Sequence, residues 1–178
     1  MKSILKILES GNSNEKIRIL ESQNNADNPE VLRKIISKLD DDDIKVRGEA
    51  FSSLVLNENT VLDFLIEGLD SESENMKCSL LLVLANRNET SSIPNITKLV
   101  KDKNSFVRSC AIGALGHLKF QENKKIFVDA LSDSNMEVRK SALQAIVDLK
   151  ITVSEYEISA MLKENDPEVE KMSSQVEK

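Results

Sequence analysis

A segment about 31 residues long recurs along the chain, and this spacing limits the fold more than any other feature of its sequence. LDDDDIKVRGEAFSSL from Leu39, LDSESENMKCSLLLVL from Leu69, VKDKNSFVRSCAIGAL from Val100, LSDSNMEVRKSALQAI from Leu131 and LKENDPEVEKMSSQVE from Leu162 align without a gap. Their anchor hydrophobes are Val46, Met76, Val107, Val138 and Val169, and a weaker copy anchors on Ile17. A period of this size marks a stack of helical hairpins, because one hairpin cannot bury its apolar face alone.

Three residues before each anchor stand Asn14, Asp43, Ser73, Asn104, Asn135 and Asp166. All are residue types whose side-chain oxygen satisfies an orphan N–H of a first helical turn, so the column predicts six helix starts. Pro167 after Asp166 suits the first helical position. From the anchor, apolar residues recur at offsets 0, +4, +5 and +8, as in Val107, Ala111, Ile112 and Leu115, which is an amphipathic helix stripe. A second helical pattern ends on Leu39, Leu69, Val100, Leu131 and Leu162, with starts predicted at Asn28-Pro29, Thr60, Ser92 and Ser154, the last with Glu157 in a capping box. Each unit therefore reads as helix A, a short polar loop, then helix B. Period-2 strand patterns are absent from the sequence.

The clearest copy of helix B, Asn104-Ser-Phe-Val-Arg-Ser-Cys-Ala-Ile-Gly-Ala-Leu-Gly-His-Leu118, resembles the short HEAT-like repeat of the phycobilin-lyase type, D-x-x-V-R-x-x-A-x-x-A-L-G-x-L; Asn135 to Leu149 is nearly as good. The resemblance covers roughly residues 28 to 170. It implies an all-α fold, an α-solenoid in a right-handed superhelix of about six HEAT-like hairpins. One domain is expected over 1–178, with a degenerate N-terminal cap at 1–27, repeats over 28–170 and a tail at 171–178. The resemblance spans scaffolds, bilin-lyase subunits, iron-dependent hydroxylases and relatives of a DNA-alkylation glycosylase.

Composition narrows these functions. The chain has 24 Lys and Arg against 30 Asp and Glu, a net charge of −6, and only 3% aromatic residues, which argues against nucleic acid as the principal ligand. The hydroxylases hold iron with paired His-Glu dipeptides, whereas the single histidine here, His117, is followed by Leu118. His117 lies seven residues beyond Cys110, two turns along a helix and too far to share one ion without other ligands. The acidic run Asp40 to Asp43 lacks the alternation, central glycine and closing glutamate of a calcium loop. No nucleophile elbow or phosphate-binding glycine loop is present. No cofactor or metal and no enzymatic activity are expected. Two cysteines make no disulfide framework, and no segment has the apolar length of a membrane span or a secretory leader, so a cytoplasmic location is expected. The sequence does not fix the oligomeric state, for which a monomer is the favoured reading.

Two sets of residues remain. Arg18, Arg47, Lys77, Arg108 and Arg139 follow the anchors, with Glu170 breaking the series. Asp41, Asp102, Asp133 and Glu164 lie two residues before the caps as candidate partners in a structural ladder. In HEAT-like arrays the B helices line the concave face, so the resemblance directs offsets +2, +6 and +10 into a groove. These are Gly48, Ser52 and Leu56; Cys78, Leu82 and Asn86; Ser109, Gly113 and His117; Lys140, Gln144 and Asp148. Two readings stand: a trough for a partner protein or peptide, or small residues that let the B helices pack closely. The first makes the chain a non-enzymatic scaffold or adaptor. An accessory enzyme subunit of the bilin-lyase kind and a self-associating structural module are the alternatives.

Overall fold

Stable helices need capped ends and a buried stripe, and both recur here with the repeat. A computed structural model of the chain describes residues 2–162 and 167–176. The described residues are helices and their connecting turns, with no strand among them. They fall into two compact units, Met1–Ser92 and Ile93–Lys178.

The first unit holds α1 (Lys2–Ser10), α2 (Ser13–Glu21), α3 (Pro29–Ser37), α4 (Ile44–Leu56), α5 (Leu62–Gly68) and α6 (Glu74–Asn86), with short 3-10 turns at Lys38–Asp40 and Thr90–Ser92. The second holds α7 (Ile93–Leu99), α8 (Ser105–His117), α9 (Lys125–Ala130), α10 (Met136–Asp148), α11 (Glu155–Leu162) and α12 (Pro167–Ser173). The B helices α4, α6, α8 and α10 are each 13 residues long, while α5, α7 and α9 are 7, 7 and 6.

Asp43, Ser73, Asn104 and Asn135 cap the B helices, each side-chain oxygen accepting a first-turn N–H. The residue two before each cap in turn accepts the cap residue's own N–H: Asp41 at 3.2 Å, Ser71 at 3.1 Å, Asp102 at 2.8 Å and Asp133 at 2.9 Å. The loop is thereby fixed before the helix begins. Asn28 caps α3 ahead of Pro29, and Ser154 exchanges hydrogen bonds with Glu157 before α11.

Other starts differ from the sequence expectation. Asn12, rather than Asn14, caps α2, because Glu15 three residues on closes a capping box with it. Thr60 does not cap α5; Val61 occupies that place with no side-chain bond. α7 does begin at Ile93, directly after Ser92 as expected, although Ser92 is buried and its hydroxyl donates backward to the Glu89 carbonyl at 2.6 Å. Asp166 lies outside the described residues. In the stretch expected as a tail, α12 runs on to Ser173, and Ser173 and Val176 are buried.

The stripe forms the core. Val46, Ala50 and Leu54 in α4, Leu80, Leu81 and Leu84 in α6, Val107, Ala111, Ile112 and Leu115 in α8, and Val138, Ala142, Leu143 and Ile146 in α10 are all buried. Within the first unit α4 packs on α2, α3 and α6; within the second α8 packs on α7 and α10, and α10 on α9 and α12.

Candidate interaction surface

With the apolar stripe turned inward, the opposite side of each B helix carries what can meet a partner. In the first unit the paired helices α4 and α6 expose Leu56 and Leu82, which keep 61% and 49% of their surface in solvent. Ser52 is half-buried and donates to the Gly48 carbonyl at 3.1 Å, and the exposed Asn86 donates to the Leu82 carbonyl at 2.8 Å. Cys78 departs from the expected groove wall. Its side chain is buried, as suits a small, weakly polar thiol on a helix that packs on α4 and α5.

In the second unit Gly113 and His117 of α8 and Gln144 and Asp148 of α10 surround a depression of about 260 Å³, with Gly116, Ser141 and Ala145 completing it. The Gln144 amide donates to Asp148 at 2.7 Å. Lys140 stands outside the depression and reaches Glu168 of α12 at 2.8 Å. Ser109 and Ser141 share a hydrogen bond of 2.8 Å between the two helices.

The glycines separate the two readings of the small residues. A Cβ on Gly48 or Gly113 would meet no heavy atom within 4 Å, so neither is needed for packing and both leave open space above their helix. A Cβ on Gly116 would lie 3.0 Å from the Ala145 Cβ, so this glycine sets the close approach of α8 to α10.

At three of the anchors the arginine that follows makes one repeated bond. The Arg47, Arg108 and Arg139 guanidinium groups donate to the carbonyls of Asp41 at 2.7 Å, Asp102 at 3.0 Å and Asp133 at 2.7 Å, in each case six residues earlier. Arg108 adds a two-pronged bond to the Asp133 carboxylate of the next repeat, both prongs at 2.8 Å. That fork holds the Asp133 carboxyl below its ordinary pKa and raises Arg108. Asp41 has the same role in the first unit, receiving Lys16 at 2.8 Å and Lys38 at 3.1 Å. Burial works to raise the Asp41 pKa, but the bonds from Lys16, Lys38 and the Asp43 N–H outweigh it and the net shift is downward. Lys77 is half-buried and Arg18 exposed. Glu164 lies outside the described residues.

One joint has no counterpart in the sequence expectations. Buried Asn57 donates to the Ala26 carbonyl at 2.8 Å, and Arg87 donates to the carbonyls of Leu54 at 3.0 Å, Asn59 at 3.3 Å and Asn57. Three repeats of the first unit are tied here, and the signal was available: Asn57 and Arg87 both sit just past the end of a B helix, one repeat apart.

These hairpins, caps and stripes make the chain a HEAT-like repeat protein with an all-α fold of the armadillo and HEAT solenoid class. Residues 62–147 match the HEAT repeats family. Among curated proteins none matches. Solved structures similar in fold include an engineered protein, 16% identical with TM-score 0.58, covering 97% of this chain and 93% of its own. A computationally designed armadillo repeat protein for modular peptide recognition is 18% identical with TM-score 0.58, covering 97% and 96%. A designed armadillo repeat protein in complex with the peptide (KR)4 is 18% identical with TM-score 0.57, covering 97% and 96%. No helix among the described residues is long and apolar enough to cross a membrane.

Proposed function

We propose that the chain is a non-enzymatic scaffold that binds a partner protein or peptide on the outward side of its B helices. The observation that carries this reading is the pair Leu56 and Leu82, exposed on neighbouring helices whose other leucines, Leu54, Leu80, Leu81 and Leu84, are fully buried. Full burial of a leucine side chain is worth about 1.5–3 kcal/mol, so a partner that covers the half or so still exposed on each gains roughly half of that. The open space over Gly48 in the first unit, and over Gly113 in the second, lets a partner backbone come close to either, and in the second unit Gln144, Asp148 and His117 supply polar groups that fix its orientation. A preformed surface of this kind also spends little free energy on ordering itself. The fold neighbour built for modular peptide recognition uses the same architecture for such a task. The residues assigned are Ser52, Leu56, Leu82 and Asn86 on the B helices of the first unit and, separately, Gly113, His117, Gln144 and Asp148 on those of the second, with Lys140 beside the latter set.

The test is affinity capture from cell extract in parallel with the wild type, a Leu56→Asp/Leu82→Asp variant and a control altered on α11, Tyr156→Asp. Proteins held by the wild type and the control but lost from the double variant, with unchanged far-UV circular dichroism, support the surface. An identical set on all three refutes it.

A further inference from the structure

The net charge of the chain hides a strong local separation. Residues 93–128 carry seven Lys and Arg against two Asp and Glu, whereas residues 129–178 carry six against eleven. Much of this positive charge gathers on the A-helix side of the second unit, away from the B helices discussed above. There Lys98 of α7, Lys101 just after it, and Lys124 and Lys125 at the start of α9 are all exposed. Between α7 and α9 lies a depression of about 370 Å³ whose lining includes Lys98 and Lys101, the polar Thr97 and Asn123, and the half-buried apolar Val100 and Ile126.

The balance of charge within this depression is positive. Its one acid, Asp129, is engaged by Lys125, the side-chain oxygens lying 2.5 and 2.6 Å from the ammonium. Lys98, Lys101 and Lys124 enter no ion pair among the described residues. Two uncompensated ammonium groups, Lys98 and Lys101, line the apolar floor, and with Lys124, next in sequence to the lining residues Asn123 and Lys125, they repel one another; a ligand of opposite charge relieves that repulsion.

We infer that the α7–α9 face is a second docking surface and that its occupant is an acidic peptide segment of a protein partner, with an aliphatic side chain seated over Val100 and Ile126. An acidic peptide satisfies three features together: the carboxylates meet the lysines, the aliphatic residue covers the floor, and the peptide backbone has Thr97 and Asn123 as hydrogen-bonding groups. A nucleic acid satisfies only the first. The depression has no aromatic side chain on which a base could stack, and a long polyanion leaving it would meet the acidic surplus of residues 129–178.

The experiment is fluorescence anisotropy with the full chain and a labelled ten-residue peptide of Glu and Asp with Leu at every third position. An oligothymidylate of about twelve nucleotides and a peptide with Lys in place of the acids run alongside. The expected result is binding of the acidic peptide alone, weakened about ten-fold or more by Lys98→Glu with Lys101→Glu, weakened less by Lys98→Gln with Lys101→Gln, and reduced by added salt. Leu82→Asp leaves this binding unchanged, which separates the site from the B-helix surface. If the Glu variant loses its helical signal, the Gln variant decides. Affinity within two-fold of wild type in the folded variants, or tighter binding of the oligothymidylate, overturns the inference.

Discussion

Three B helices end on a residue whose backbone is left-handed: Asn88 at φ 54°, Lys119 at φ 55° and Lys150 at φ 51°. They recur every 31 residues, and each closes the same pair of bonds. The N–H of Lys119 meets the Gly116 carbonyl at 3.0 Å and that of Phe120 meets Leu115 at 3.0 Å; Lys150 and Ile151 repeat this with Val147 at 3.1 Å and Ile146 at 2.9 Å. Glycine is the residue that ordinarily fills such a position. For an L side chain the left-handed conformation costs about 1–2 kcal/mol, while glycine returns about 0.5–1 kcal/mol of that advantage through its freer unfolded state. Both lysines are exposed, so truncating them removes little contact. Lys119→Gly and Lys150→Gly should therefore each stabilise the fold by about 0.5–1 kcal/mol, and Asn88→Gly by less, since asparagine tolerates this conformation better. Urea denaturation followed by far-UV circular dichroism measures the gain as a midpoint raised by a few tenths of a molar at constant slope. A midpoint that stays put or falls in Lys119→Gly, with the slope unchanged, would refute the reasoning.

Three further outcomes follow from particular contacts. Gly113→Ala should stabilise by about 0.5–1 kcal/mol, as alanine does in an unobstructed helix interior, whereas Gly116→Ala should fall short of it because its methyl group must push against Ala145; the same urea midpoints compare them. Arg108→Ala should cost about 2–3 kcal/mol, since it strands the Asp133 carboxylate and two loop carbonyls, and Arg108→Lys should recover only part because it lacks the fork. Because Asp133 titrates below its unfolded value, the stabilisation it supplies is complete above the unfolded carboxylate pKa of about 3.9 and is lost as the pH falls through the lower folded value. Asp133→Asn should therefore lose less stability than wild type between pH 5 and 2.

What could be read from the residues alone was local. Asp43, Ser73, Asn104 and Asn135 cap their helices because the bond they make spans only two or three residues, and the buried stripe follows from helix geometry. The starts of α5 and α7 were legible to within a residue or two, at Thr60 and Ser92, whereas that of α9 was not, since no side chain caps it and packing against α10 decides where it begins. Lysine at a left-handed helix end runs against residue preference, so Lys119 and Lys150 gave no warning. Cys78 falls on the outward offset yet is buried, a matter of how closely neighbouring helices approach. Offsets on one helix do not carry that information. The basic stretch 93–128 was open to view in the residue order, but a sum taken over the whole chain averages it away.

The bond from each arginine to a carbonyl six residues upstream has a consequence for how such a chain could lengthen or shorten. Arg47, Arg108 and Arg139 each fasten the loop of their own hairpin, so this part of the construction travels with the segment when it is copied or deleted. Gene duplication in steps of one period would preserve the fastening, whereas a cut between Asp102 and Arg108 would part the guanidinium from the loop carbonyl it fastens.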